Sequence, residues 1–169
     1  PTQSTPYPVD QAGELNKVYA ITRGASSVDV IDVETTAVVD SIALNHTPRS
    51  GEAYNADLGI QLIAGGNKPL TSLINPVTDQ VLAEAGLDQE TVSNGDYGGG
   101  NASGHPFWFN DREFAVIDRA NRKIQLYKVY GNISQGVSVK LLDEINTPTS
   151  VHHFVSRKIT PVSTNQMDS

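Results

Sequence analysis

The chain has 169 residues, enough for one domain with a sizeable core, and 19 acidic against 12 basic residues give it a net charge of −7. That charge argues against nucleic acid and anionic membrane surfaces as partners, because both require a basic face on the protein. No apolar run is long enough to span a bilayer, and the absence of cysteine excludes disulfides and thiolate metal sites.

The chain begins with a Pro-, Ser- and Thr-rich stretch over residues 1–13, which predicts an extended N-terminal arm. The chain does not start with Met. We interpret its first residue either as the mature end left by signal cleavage or as an artificial boundary of the sequence. Together with the lack of cysteine, this favours a secreted, periplasmic or outer cell-surface protein. The predicted domain covers residues 14–156, and a polar tail covers residues 157–169.

The first unit of the domain contains three predicted strands separated by tight turns. Each alternates apolar with polar residues and is rich in β-branched side chains, which is typical of a half-buried strand. The strands are Lys17–Arg23, Val28–Val33 and Ala37–Leu44.

The second unit begins at Pro48 and contains four predicted strands. They are Gly51–Tyr54, Gly59–Ala64, Leu70–Ile74 and Val81–Leu87. The stretch Asp88–Ser103 follows; it is polar, rich in glycine and too long for an ordinary hairpin, and it therefore predicts a surface loop.

The third unit again contains four predicted strands. They are Pro106–Phe109, Glu113–Arg119, Lys123–Tyr130 and Val139–Ile145. One further strand, Ser150–Val155, is left at the end of the domain. We expect it to pair with Lys17–Arg23, since this would complete the first sheet from both ends of the chain.

A short motif with a polar residue or His, then Pro, then a strand occurs at Pro48, Pro106 and Pro148, at intervals of 58 and 42 residues. Self-similarity at roughly 40–45 residues is typical of four-stranded propeller blades. The predicted fold is therefore all-β, with propeller-like packing of about three four-stranded antiparallel sheets. Three arrangements stay open: a closed triangle of sheets, a dimer, or a piece of a larger propeller.

The stretch KVYAITRGASSVDVIDVETTAVVDSIALNHTPRSG resembles the YVTN-type propeller repeat in its order of strand, turn, VxVID, turn, strand and HPxG-like end. The resemblance covers about residues 17–155. It implies a propeller architecture and carries little information about activity, because one fold hosts many functions.

All four histidines lie near the repeat starts: His46, His105, His152 and His153. Neutral imidazole is a good ligand for copper and zinc, and soft sulfur ligands are nearly absent from this chain. We predict a metal site that uses His105 and His153, with His152 and His46 in reserve. Because His152 and His153 are adjacent on a strand, only one of them can face the site. The alternative is that these histidines are ordinary polar residues at strand ends.

The chain is also similar to the copper-binding surface proteins of methanotrophic bacteria, the MopE/CorA group, as a small, acidic, cysteine-free β-protein with histidines near one tryptophan. In that group histidines and a tryptophan oxidised to kynurenine hold copper. The resemblance implies corresponding roles for His105, Trp108, His152 and His153. Two neutral imidazoles with few other ligands favour Cu(I). Alternatively, Trp108 fills the core of its apolar strand.

The loop Asp88–Ser103 carries Asp88, Glu90 and Asp96, whose oxygens could bind calcium, but their spacing does not match an EF-hand, and a solvated loop is the alternative. No catalytic motif is present, so we do not expect an enzyme. The leading hypothesis is copper acquisition or storage, with a metal ion and a surface or periplasmic protein as partners. The alternative is a propeller-like protein-interaction module without metal. The sequence leaves monomer and homodimer open.

Overall fold

The computed structural model describes residues 16–22, 24–87, 103–119, 121–149 and 151. This part of the chain consists of eleven β-strands and contains no helix. The strands are β1 (Lys17–Ile21), β2 (Ser27–Asp32), β3 (Ala37–Ala43), β4 (Pro48–Asn55), β5 (Ile60–Gly65), β6 (Thr71–Asn75), β7 (Gln80–Ala85), β8 (Ser103–Trp108), β9 (Glu113–Asp118), β10 (Lys123–Asn132) and β11 (Gly136–Asn146).

The strands form three antiparallel sheets, each built from consecutive strands. Blade 1 contains β1–β3, blade 2 contains β4–β7 and blade 3 contains β8–β11. The predicted all-β class and its propeller-like packing of about three sheets are confirmed. The strand that we expected to complete blade 1, Ser150–Val155, lies outside the described residues except for Val151, as do the predicted arm (1–13) and tail (157–169).

Five hairpin turns share one pattern, in which an Asp or Asn comes four residues before a residue with a left-handed backbone. The Asp or Asn side chain accepts a hydrogen bond from a backbone N–H two or three residues later. The pairs are Asp32 and Thr36, Asn55 and Gly59, Asn75 and Asp79, Asp118 and Arg122, and Asn132 and Gly136. Because such side chains imitate a backbone turn, local sequence determines where these hairpins reverse.

The opening strands of blades 2 and 3 are irregular where they carry their prolines. β4 begins at Pro48, three residues before the predicted start, and its pairing with β5 shifts register twice before Ala53. The pairing of β8 with β9 shifts between Gly104 and Phe107, on either side of Pro106. Proline has no N–H for a ladder hydrogen bond, so it is accommodated in a strand at such irregularities.

Two apolar clusters join the three blades. Between blades 1 and 2, Val28 and Val30 pack with Ile63 and Ile74. Between blades 2 and 3, the buried cluster includes Leu62, Leu73, Phe114, Val116 and Tyr127. Blade 2 is therefore covered on both faces, and all five residues of its strand β6 are buried.

A buried ion pair also joins blade 1 to the β6–β7 turn of blade 2. Nζ of Lys17 lies 2.6 Å from Oδ1 of Asp79, and the hydroxyl of Tyr19 donates to the same oxygen. The charged side chains of Lys17 and Asp79 are 3% and 2% exposed. Burial lowers the pKa of Lys17 from its usual value, and the hydrogen bond and charge of Asp79 oppose that change. Blade 1 is thus held to blade 2 by charge as well as by apolar contact.

The two terminal blades each turn one face away from blade 2. On blade 1, Val18, Ile31 and Val38 lie opposite one another on the three strands, and we call this row the outer face of blade 1. On blade 3 the corresponding row is Ile117, Ile124 and Ile145, in which Ile117 is 1% exposed and only the edge residue Ile145, at 47%, is well exposed. Val18 and Val38 are 51% and 62% exposed, so the outer face of blade 1 is an apolar surface in contact with water.

Candidate functional site

His46 lies in the connection between blades 1 and 2, where it is 1% exposed. Its Nε2 atom is 2.8 Å from Oγ of Ser72 on β6. Burial lowers the pKa of His46, and the negative charge of Glu84 opposes this change only in part. The imidazole is therefore neutral at pH 7, which is the form that binds metals. The sequence predicted His46 as a reserve metal ligand or as an ordinary polar residue at a strand end, and only the structure shows that it is buried.

The two ring nitrogens of His46 have different surroundings. Beyond Nε2, Oγ of Ser72 donates to Oε1 of Glu84 at 3.4 Å, and Nδ2 of Asn45 donates to Oε2 of Glu84 at 2.8 Å. Nδ1 is buried and has no hydrogen-bond partner within the described residues. A Cβ atom on Gly65 would lie 2.8 Å from this Nδ1. Ser72 of blade 2 thus contacts one ring nitrogen, and the other lies in a confined space beside Gly65, where the backbone of Thr47 also acts to raise the pKa of His46.

His105 lies on β8, the first strand of blade 3, with a φ of +50°. Its backbone N–H donates to Oγ of Ser50 on β4 at 2.7 Å, and the residue is partly buried. This contact joins the opening strands of blades 2 and 3. His105 therefore lies within the opening strand of blade 3, close to the opening strand of blade 2.

Trp108 is packed between blades 2 and 3. Its Nε1–H donates to the carbonyl oxygen of Ala53 at 3.3 Å, and its ring meets that of Phe114 edge to face with centroids 5.2 Å apart. The side chain lies against the apolar cluster that joins the two blades. These contacts fit the interpretation of Trp108 as a core residue, while its predicted oxidation to kynurenine stays a prediction.

The remaining predicted ligands are not described. His152 and His153 lie outside the described residues, and so do Asp88, Glu90 and Asp96 of the predicted calcium loop. Among the residues that are described, no three His, Asp or Glu side chains are grouped to hold a metal ion. The structure therefore places His46, His105 and Trp108 but does not test the full predicted ligand set.

The sequence did not indicate a groove between the outer strands of blades 2 and 3. We call it the outer groove; its cavity volume is about 360 Å³, and its lining includes Ala85, Leu87, Tyr127, Val139 and Leu141. A second cavity of about 280 Å³ lies on the blade 1 side of β7, and Glu84 and Leu87 line both. Leu87, which is 65% exposed, lies between these two cavities.

Gly86 determines the shape of the outer groove at its blade 2 end. Its φ is +89°, a conformation that L side chains rarely adopt, and a Cβ atom there would lie 2.0 Å from the carbonyl oxygen of Pro69. Only glycine permits the chain to turn at this point and to present Leu87 outward. On the opposite wall, Nζ of Lys140 lies 5.5 Å from the ring centroid of Tyr130. Glu84 and Lys140 also line the outer groove, but the Glu84 carboxylate accepts hydrogen bonds from Ser72 and Asn45, and the Lys140 ammonium lies over Tyr130.

Comparison with known proteins supports the fold. No protein-family model and no curated protein matches the sequence. Hsv2 from Kluyveromyces lactis is similar in structure, with a TM-score of 0.53 and 10% identity over 83% of this chain and 46% of that protein. BamB from Moraxella catarrhalis is similar with a TM-score of 0.54 and 17% identity over 90% of this chain and 37% of that protein.

Both similar proteins are β-propellers, so the propeller part of the predicted resemblance is confirmed, whereas nothing in these comparisons supports the YVTN type or the methanotroph copper proteins. The chain spans less than half the length of these solved structures. Within the described residues, there is no helix of a kind that could cross a membrane.

Proposed function

We propose that this chain is a protein-interaction module that binds a short extended segment of another protein in the outer groove. The observation that carries the proposal is the groove between β7 and β11, in which Leu87, Val139 and Leu141 present apolar side chains. Ligand sites are concave and mostly apolar, with a few polar groups that fix orientation. A propeller scaffold supplies such grooves wherever the outer strands of two adjacent blades diverge.

The edge of blade 3 adds a means of holding an extended backbone. Among the described strands, β11 is last in its sheet, and its eleven residues offer one edge for backbone hydrogen bonds. A segment added at such an edge points every second side chain to one face. An apolar side chain of that segment would enter the groove and cover Leu141, which is 39% exposed.

The charge of the chain defines the partner further. With a net charge of −7, the protein attracts cationic segments at long range and repels anionic ones. The preferred ligand is therefore an extended segment with one or two large apolar residues and basic flanks.

A peptide-display selection tests this function directly. Random ten-residue peptides are selected on the folded chain, and the best binders are measured by fluorescence polarisation. We expect Leu141→Asp to weaken binding at least tenfold, because peptide binding would bury a carboxylate in the groove. A tenfold change in the dissociation constant corresponds to about 1.4 kcal/mol. Val33→Asp, at a valine that is 51% exposed in a turn of blade 1, is the matched control and should bind as the parent does.

Two results would contradict the groove proposal. One is a selection that yields no binder with micromolar affinity. The other is a set of binders for which Leu141→Asp and Val33→Asp are equivalent, since binding would then lie elsewhere on the protein.

Copper binding is the second candidate function, and one observation favours it: Nδ1 of buried His46 has no hydrogen-bond partner within the described residues. The candidate ligands are His105 and His153, with His152 and His46 in reserve and Trp108 beside the metal. Competition titration with Cu(I) tests this candidate. We expect about one equivalent to bind and the His105→Ala variant to bind more weakly; no uptake by the parent would rule out copper.

A further inference from the structure

The second cavity, on the blade 1 side of β7, differs from the outer groove because a carboxylate is directed into it. Its volume is about 280 Å³, and its lining combines residues of β3 and β7. Glu84 lies opposite Ser72 in the β6–β7 pairing, and its carboxylate contacts Ser72 and Asn45. Both of these residues lie toward the connection between blades 1 and 2, where Ser72 also contacts His46. The carboxylate therefore belongs to the second cavity, although Glu84 also lines the outer groove.

The Glu84 carboxylate is oriented by hydrogen bonds but has no ion-pair partner in the described part of the chain. Nδ2 of Asn45 donates to Oε2 at 2.8 Å, and Oγ of Ser72 donates to Oε1 at 3.4 Å. A carboxylate offers about four acceptor positions, so each oxygen can accept one further hydrogen bond. The ammonium of Lys68 donates to the backbone carbonyl oxygen of Asn45 at 2.9 Å and forms no ion pair with Glu84.

Apolar side chains surround this carboxylate. The lining includes Ala43 of blade 1 and Val81, Leu82, Ala83 and Leu87 of blade 2. Val81 is 37% exposed and Leu87 is 65% exposed, so the cavity is open to the surface of the protein. An apolar surface beside one oriented carboxylate suits a side chain that has an aliphatic stem and a cationic head.

Among the cationic side chains, arginine fits the two carboxylate oxygens best. Its planar guanidinium presents two parallel N–H groups, which match two oxygens that each have one remaining acceptor position. The lysine ammonium is a compact point charge on a flexible stem and does not have this fork geometry. The net charge of −7 also favours the approach of a cationic group.

We propose that the second cavity binds an arginine side chain of a partner protein. The guanidinium donates to both oxygens of Glu84, and the aliphatic stem lies against Val81 and Leu87. Because the cavity is open at the surface, it receives a side chain that projects from another protein surface. The site goes beyond the proposed peptide groove and does not require it, since Leu141 lines the outer groove and not the second cavity.

NMR titration of the full chain with blocked arginine, N-acetylarginine amide, tests the proposal. We expect saturable chemical-shift changes at Val81, Ala83 and Leu87, with a dissociation constant on the order of 1 mM for a ligand of this size. Blocked citrulline has nearly the same shape without the charge and should bind about fivefold more weakly, or less. The absence of saturable changes in the parent chain, or equal affinity for the two compounds, would overturn the proposal.

A variant at the carboxylate locates the site. Glu84→Gln removes the charge and one acceptor oxygen, and it should raise the dissociation constant of blocked arginine about fivefold. The matched control is Glu34→Gln, because Glu34 also accepts from an amide, that of Asn16 at 2.9 Å, but is exposed in a turn of blade 1. The control should bind as the parent does. Equal dissociation constants for the two variants, each with a folded NMR spectrum, would place the arginine elsewhere and overturn the proposal.

A second variant tests the contact with the aliphatic stem. Val81→Ser removes apolar surface from the wall of the second cavity and should weaken the binding of blocked arginine about threefold. An unchanged dissociation constant would contradict the proposed position of the stem.

Two further arms separate the source of the arginine and the proposed function. A ten-residue peptide with one central arginine should bind at least as tightly as blocked arginine, whereas binding of the blocked amino acid alone would overturn the assignment to a partner protein. Leu141→Asp should bind blocked arginine as the parent does, because this residue lies in the outer groove. Loss of arginine in Leu141→Asp together with its retention in Glu84→Gln would overturn the site and leave the proposed groove intact.

Discussion

Blades 1 and 2 are built from the same kind of alternating sequence, but very different fractions of them are buried. Every residue of β6 in blade 2 is buried, whereas five consecutive residues of β3 in blade 1, Ala37–Ser41, are exposed. The difference arises because blade 2 has a neighbour on each face and blade 1 has one described neighbour. A blade in this fold therefore draws its stability from adjacent blades more than from its own strands.

The largest expected effect comes from truncating a fully buried side chain of blade 2. Leu73 on β6 is 0% exposed within the cluster that joins blades 2 and 3. Leu73→Ala should lower the free energy of unfolding by about 3 kcal/mol, from lost burial and the cavity left behind. Val38→Ala on blade 1, the matched change at a 62% exposed valine, should stay within about 0.5 kcal/mol. Urea unfolding of both variants and the parent measures the two losses in unfolding free energy. Equal losses would contradict the prediction.

The next effect tests the charged contact that joins the two blades. Asp79→Asn keeps a residue type that tolerates the φ of +56° but leaves the Lys17 ammonium without its carboxylate. Breaking a buried pair in this way should cost about 3 kcal/mol. Thr36→Asn, at a φ of +53° in the corresponding turn of blade 1, is the control and should change little. Thermal unfolding of the two variants measures this difference. Equal stability of the two variants would show that the ion pair does not stabilise the fold.

The pH dependence of the Asp79→Asn variant should differ from that of the parent. Burial already lowers the pKa of Lys17, and loss of Asp79 removes the hydrogen bond and the nearest charge that opposed this change, leaving the smaller effect of Asp40. Between the folded and the unfolded pKa of Lys17, the unfolded chain binds more protons. The stability of the variant relative to the parent should therefore rise as the pH increases toward the usual lysine pKa.

Substituting one glycine in each of the two blades compares how closely other atoms surround the backbone there. Gly24 and Gly86 have almost the same φ, +87° and +89°, but a Cβ atom has open space at Gly24 and would lie 2.0 Å from the Pro69 oxygen at Gly86. Gly24→Ala should cost about 1 kcal/mol from backbone strain alone. Gly86→Ala should cost about 2 kcal/mol more, because backbone atoms must move apart. Chemical denaturation measures both, and equal losses would show that the Pro69 contact is easily relieved.

The smallest expected effect concerns the histidine buried between the blades. The pKa of His46 is lowered in the folded chain, so the unfolded chain takes up a proton first as the pH falls below the usual histidine value near 6.5. Stability should therefore be fully present above that pH and decline as the pH falls, by at most about 1.4 kcal/mol per unit. His46→Gln can keep a hydrogen bond to Ser72 but cannot titrate. Unfolding free energies at pH 7.5 and 5.5 should differ less for this variant than for the parent, and equal differences would contradict the prediction.

Local features of the fold were accessible from the sequence, and features that depend on two blades were not. The strands of blade 1 and the turn at Asp32 are visible as period-two alternation and turn chemistry, both short-range properties. The burial of His46 depends on Ser72 and Gly65, which lie on other strands. The outer groove depends on where β7 passes β11, a distance that no local pattern encodes. Trp108 combines a local feature with a contact between blades. Its apolar strand was predictable from the sequence, and its hydrogen bond to Ala53 was not.

The sequence by itself determined the all-β class, the approximate strands, the hairpin turns and the order of the three sheets, because alternation and turn residues act over a few neighbouring positions. The tertiary structure alone decided which face of each sheet is covered. The valines of blade 1 at positions 18 and 38 have the same chemistry as the buried Val28 and Val30, and they differ only in what packs against them. Burial is a property of the neighbour as well as of the residue, so the faces left in contact with water are found only when the blades are placed side by side.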